Sequence, residues 1–130
     1  MYFSEQAKNV MCIYGSTSPS YLILESLDRC NCYLENEIRG RLQSVISLID
    51  NAKNQVSKCG YTFLGNEKTK ITIDTKAYGY NGNDFAALLM KKNIVPEFYD
   101  NDFIVLMASS ETTEEEISYL CNVLSSIPKK

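Results

Sequence analysis

Three hydroxyls and a proline stand at the mouth of an apolar run in Gly15-Ser16-Thr17-Ser18-Pro19-Ser20-Tyr21-Leu22-Ile23-Leu24. Ser18 suits the cap of a helix, and Pro19 suits its first position, where its missing N–H would be unpaired anyway. The first-turn amides then point outward, and with the hydroxyls of Ser16, Thr17 and Ser18 they form a site that a phosphate fits. The same residues also read as a plain cap that binds only its own backbone.

Other chemistry-bearing residues are weaker candidates. Glu97, Asp100 and Asp102 are acidic and close in sequence, and carboxylates recognise an amine or a guanidinium. Asp and Asn also dominate turns for local reasons, so a solvated turn explains them as well. Glu114, Glu115 and Glu116 complement a helix dipole without needing a substrate. Lys91 and Lys92 suit a helix C-terminus, and no lysine has an evident desolvating or cationic neighbour that would make it a nucleophile. Tyr78 and Tyr80 belong to a set of nine tyrosines for which packing in strands and turns is the expected role.

Composition narrows the class. The chain has 130 residues, 45% of them hydrophobic, which is enough for a modest core. A net charge of −3 without a basic block excludes a nucleic-acid surface or an anionic membrane as the expected partner. No apolar run reaches the roughly 20 residues of a membrane helix, and no signal peptide pattern opens the chain. A cytoplasmic setting is expected. Five cysteines, Cys12, Cys30, Cys32, Cys59 and Cys121, are an odd number at irregular spacing, which fits free thiols. Cys30 and Cys32 would point to different sides of a helix, and the chain has no histidine to complete a metal site.

The elements that must position these residues follow from hydrophobic period. Ala7, Val10 and Met11 suggest a short helix or extended arm before Gly15. A helix is expected from Ser20 along Leu24, Leu27, Tyr33 or Leu34, and Ile38, broken at Gly40, and a second along Leu42, Val45, Ile46, Ile49, Ala52 and Val56, ending at Cys59-Gly60. Lys70 to Thr75 alternates as a half-buried strand. Asn81 or Asn83 can cap a helix through Phe85, Leu88 and Leu89 that stops at Asn93. Ile94 to Tyr99 and Phe103 to Ala108 read as a hairpin about Asp100-Asn101-Asp102. Thr112 and Thr113 stand in capping-box register with Glu115 and Glu116, ahead of a helix with Ile117, Leu120, Cys121 and Leu124 inside. The fold class is α+β: a helical arm over residues 1–60, then a two-layer βαββα small domain over 61–130 with a three-stranded sheet.

The whole-chain pattern resembles the C-terminal portion of the ornithine/lysine/arginine decarboxylases, pyridoxal-phosphate enzymes of the aspartate-aminotransferase fold type. The resemblance runs from Ser16-Thr17-Ser18-Pro19-Ser20-Tyr21-Leu22-Ile23-Leu24 with Ser26-Leu27-Asp28, through Lys70-Ile71-Thr72-Ile73-Asp74 and Gly79-Tyr80-Asn81-Gly82, to Ile94-Val95-Pro96-Glu97 and Thr112-Thr113-Glu114-Glu115. It implies that residues 1–60 are the tail of a large cofactor domain and 61–130 the small domain. It further implies a cytoplasmic homo-oligomer, with a basic amino acid as substrate and the active site at a dimer interface. There Ser16, Thr17 and Ser18 would reach the neighbouring subunit's cofactor phosphate.

The family's Ser-x-His-Lys motif, which carries the Schiff-base lysine, is absent, as are its ring-stacking histidine and the aspartate paired with the ring nitrogen. The chain therefore resembles a noncatalytic piece of a decarboxylase that holds no cofactor stably by itself. Cut from its large domain, the arm is expected to bare Leu42, Val45, Ile46 and Ile49 or to repack them against a second copy of the chain. Two alternatives stand beside this reading: a free-standing module that binds a protein or small ligand, and the C-terminal part of another enzyme of the same fold type, such as an aminotransferase.

Overall fold

The computed structural model describes residues 3–15 and 20–130. Its elements are α1 (Phe3–Tyr14), α2 (Tyr21–Asn36), α3 (Ile38–Ser57), β1 (Phe63–Leu64), β2 (Lys70–Asp74), α4 (Gly82–Met90), β3 (Phe98–Tyr99), β4 (Phe103–Met107) and α5 (Glu114–Ser126). They form two compact units, residues 1–37 and 38–130. The helical segment 1–60 is thus divided by packing, with α3 in the same unit as residues 61–130.

In the first unit, α2 begins later than its sequence suggests. Ser20, not Ser18, stands at the N-cap: its backbone is extended, its carbonyl accepts from Leu24 N at 3.0 Å, and its side chain makes no capping hydrogen bond. The helix buries none of its residues. Ile23, Leu24, Leu27 and Leu34 are exposed, and Arg29 grips Glu25 one turn away at 2.8 Å.

The expected break at Gly40 is also displaced. The interruption falls at Glu37, while Gly40 lies inside α3 with open space where a side chain would be. A glycine in an exposed helix interior costs about 1 kcal/mol. Burying Val45, Ile49, Ala52 and Val56 along the same helix outweighs that. The stripe expected to be bare is therefore largely satisfied within the chain, with Val45 3% exposed and Ile49 fully enclosed.

The sheet has four antiparallel strands, in the order β1-β2-β4-β3, rather than three. The added strand is β1, whose Phe63 and Leu64 pair with Ile73 and Thr72. Two residues beside Gly65 are too short to show alternation in sequence. β2 and β4 align Ile71 with Leu106 and Ile73 with Ile104, placing four buried aliphatic side chains on one face. That face meets α3, α4 and α5 in one core, which gives the two-layer arrangement expected for the small domain. The opposite face carries half-buried Thr72, Phe103 and Val105 with exposed Leu64, Phe98 and Met107.

Local signals act as their chemistry requires. Gly60 closes the turns after α3 at φ +94°, Asn81 caps α4 by accepting from Asn83 N at 2.9 Å, and Asn93 ends the turn after it at φ +58°. Thr113 and Glu116 form the reciprocal capping box of α5. Thr112 does not compete for that role, because its hydroxyl accepts from Ser109 N at 3.0 Å.

Strand β3 is shorter than expected, covering Phe98–Tyr99 instead of Ile94 to Tyr99. Pro96 explains this, since it has no N–H to give a ladder and would stand opposite Met107 if the Phe98–Val105 register continued.

Candidate functional site

Ser16, Thr17 and Ser18, the sequence-derived anion site, lie outside the described residues. The adjoining mouth of α2 is described. Ser20's hydroxyl makes no cap hydrogen bond there, and the first turn carries no acidic residue. The amides of Tyr21, Leu22 and Ile23 open the helix with no carboxylate in their own turn, the setting in which a helix N-terminus suits an anion.

The acidic residues near the hairpin do not converge. Asp100 Oδ1 accepts from Asp102 N at 2.8 Å and from Phe103 N at 3.0 Å, folding the turn upon itself. Asp102 pairs with Lys76 at 3.0 Å, and this contact raises the Lys76 pKa, chiefly through the hydrogen bond. Glu97 is exposed on the approach to β3. Two neighbouring asparagines complete the corner, with Asn83 Nδ2 donating to Asn101 Oδ1 at 2.8 Å. The turn reading of Asp100 therefore accounts for its contacts without a ligand.

The tyrosines have a structural task that sequence left open. Tyr61 and Tyr78 stack with centroids 3.8 Å apart, and both, with Tyr80, present their rings to the edge or face of Phe85. Their hydroxyls donate in series to the end of the chain: Tyr61 to Leu124 O at 2.9 Å, Tyr78 to Ile127 O at 3.0 Å, and Tyr80 to Pro128 O at 2.8 Å. Lys130 Nζ lies 4.3 Å from the Tyr80 ring centroid. At Gly79, with φ +93°, a Cβ would stand 2.6 Å from Lys130 O, so only glycine lets the tail lie there.

Burial, followed by the neighbouring Tyr78, pushes the Tyr61 pKa well above the ordinary tyrosine value. A phenol kept neutral in the fold but free to ionise when unfolded supports the fold below about pH 10 and loses that support above it. The urea midpoint is therefore expected to fall as pH rises past about 10, and to fall less steeply in Tyr61→Phe. Equal alkaline slopes for the two proteins would show that Tyr61 ionises as readily in the fold as outside it.

Sequence reasoning missed one cleft of about 530 Å³, lined by the Asn93–Val95 turn, the end of β4 and the first turns of α5. Pro96 was its one available signal, because a strand that cannot continue leaves its neighbour uncovered. The remaining candidates stay dispersed. Among the described residues no three potential metal ligands cluster, Cys30 and Cys32 are exposed on α2, and burial raises the Cys121 pKa. No described lysine is buried. Nor is any helix among the described residues long and apolar enough to cross a membrane.

No family model matches the chain. It is similar to an arginine decarboxylase of Halalkalibacterium halodurans, 28% identical over 137 residues. The alignment covers 95% of this chain and 28% of that protein, so the chain spans less than a third of the relative's length.

Proposed function

We propose that the chain is the C-terminal portion of a pyridoxal-phosphate-dependent decarboxylase of basic amino acids, and that it contributes binding rather than bond-breaking groups. The observation that carries the reading is the similarity to an arginine decarboxylase along 95% of the chain. The ordered motifs from Ser16-Thr17-Ser18-Pro19 to Thr112-Thr113-Glu114-Glu115 support it.

The described residues fit one end of the cofactor only. The mouth of α2, a helix N-terminus with no first-turn carboxylate, suits the phosphate. A site for the ring would require a desolvated lysine and a stacking partner, and the chain has no histidine and no described lysine that is buried. When bound, the cofactor supplies the electron sink for loss of carbon dioxide. Ser16, Thr17 and Ser18 would hold its phosphate by donating hydroxyl protons to the oxygens, across the dimer interface of the parent. The small domain, residues 61–130, would complete the subunit around a basic amino-acid substrate.

Two measurements test this. The coding sequence preceding Met1 is expected to carry Ser-x-His-Lys in frame. In the protein it encodes, alanine at Ser16, Thr17 and Ser18 together is expected to weaken cofactor retention tenfold to a hundredfold. That range corresponds to losing about 1.5–3 kcal/mol of charge-assisted hydrogen bonding. The thermal midpoint should move little, because Ser20, which stands at the N-cap of α2, is left unaltered. Absence of the lysine motif upstream would overturn the decarboxylase reading in favour of a free-standing module. Normal cofactor retention by the triple variant would reduce the hydroxyls to a helix entry.

A further inference from the structure

The cleft beside α5 has a construction that the decarboxylase reading does not use. Asn93, at φ +58°, turns the chain away after α4, and Pro96 stops the β3–β4 pairing short of Ile94 and Val95. Leu106, Met107 and Ala108 thereby face open space on the β3 side, while β2 flanks β4 on the other. The walls on either side are fixed: Tyr119 Oη donates to Lys92 O at 2.9 Å, and Ala108 N donates to Thr69 O at 2.9 Å.

The floor is aliphatic, formed by buried Ile71, Leu106, Ile117 and Leu120. Its polar rim is one-signed. Glu115 and Glu116 line it, and no lysine or arginine does. Glu116 is committed to the capping box, its carboxylate accepting from Thr113 N at 2.9 Å. The Glu115 carboxylate has no partner among the described residues. Dipole complementarity accounts for acidic residues in a first helical turn, but not for an open aliphatic floor beneath them. The volume, about 530 Å³, lies within the range of small-molecule sites.

We propose that this cleft binds an amphipathic primary amine, with a short aliphatic chain laid on Ile71, Leu106 and Leu120 and its ammonium against Glu115. Charge complementarity selects the class. A carboxylate-bearing ligand would meet only like charge at the rim, and a neutral one would leave Glu115 unpaired. The inference stands on the second unit alone and does not depend on what the parent catalyses, although an amine is what remains when a basic amino acid loses carbon dioxide.

The test uses the full chain, methyl-labelled on Ile and Leu, titrated with n-hexylamine, hexanol and hexanoate at physiological salt. Hexylamine is expected to shift the methyls of Ile94, Leu106 and Leu120 saturably, and to bind about three- to fivefold more tightly than hexanol, the scale of an exposed ion pair. Hexanoate should be weakest. Glu115→Gln should bring the amine to the level of the alcohol, Glu115→Asp should keep most of the preference, and Ala108→Leu should weaken both ligands by filling the floor. The proposal is overturned if alcohol and amine bind equally to the unaltered chain, or if Glu115→Gln keeps the amine preference. Shifts confined to the Lys76–Asp102 corner, or none saturable, would overturn it as well.

Discussion

A chain that starts at Ile38 is expected to unfold cooperatively in urea, whereas one that starts at Tyr61 is expected not to fold. The first keeps the whole second unit, which is compact over residues 38–130. The second loses α3 and, with it, Val45, Ile49, Ala52 and Val56 from the core. Fully burying a valine or isoleucine side chain is worth about 1.5–3 kcal/mol, so three of these four residues alone approach the whole stability of a typical small domain. The freed faces of α5 and the sheet would then be open to water. Far-UV circular dichroism through a urea series reads the outcome. A cooperative transition of the shorter chain with an unchanged midpoint would show that α3 is an appendage of the sheet domain and not a layer of it.

The largest effect of a single substitution is expected at Phe85. Its side chain is fully enclosed, and three tyrosine rings surround it at centroid distances of 6.1, 6.4 and 5.4 Å with near-perpendicular planes. Phe85→Ala should cost about 3–5 kcal/mol through lost transfer energy and the cavity left behind. At roughly 4–8 °C per kcal/mol for a domain of this size, the thermal midpoint drops by at least about 12 °C. The tyrosines would also lose the common surface against which they aim their hydroxyls at the chain's end. Phe98→Ala on the open sheet face provides the contrast, because Phe98 is half exposed and its removal leaves no enclosed cavity. A loss at Phe85 no larger than at Phe98 would mean that the surrounding rings collapse to fill the space.

What could be read from sequence was what local chemistry decides alone. The alternation of Ile71 and Ile73, the Thr113–Glu116 box, the Asn81 cap and the stop at Gly60 all act within a few residues, and the structure places each where its pattern indicates. The misplacements share a different cause. Gly40 stays helical because α3 gains more from the core than its glycine loses, which is a tertiary fact. β1 exists only because β2 offers Ile73 and Thr72 as partners. The cleft depends on a strand that fails to continue, and only the position of Pro96 hints at it. The hydroxyl segment at residues 16–18 was the clearest chemical signal in the chain, and its neighbouring helix entry moved by two residues because Ser20 takes the extended backbone that begins α2.

The packing of α3 on α5 also sets how the second unit reaches its fold. These helices lie at opposite ends of its sequence, with all four strands and α4 between them. Closing so long an intervening chain carries an entropic cost that no local turn repays, and the central β2–β4 pairing bridges a wide separation of its own. Individual helices wind within about a microsecond, so winding is not the slow event. The slow event is the search by which the two ends find each other. The unit should therefore fold at the pace of a protein rich in distant contacts despite its helical content.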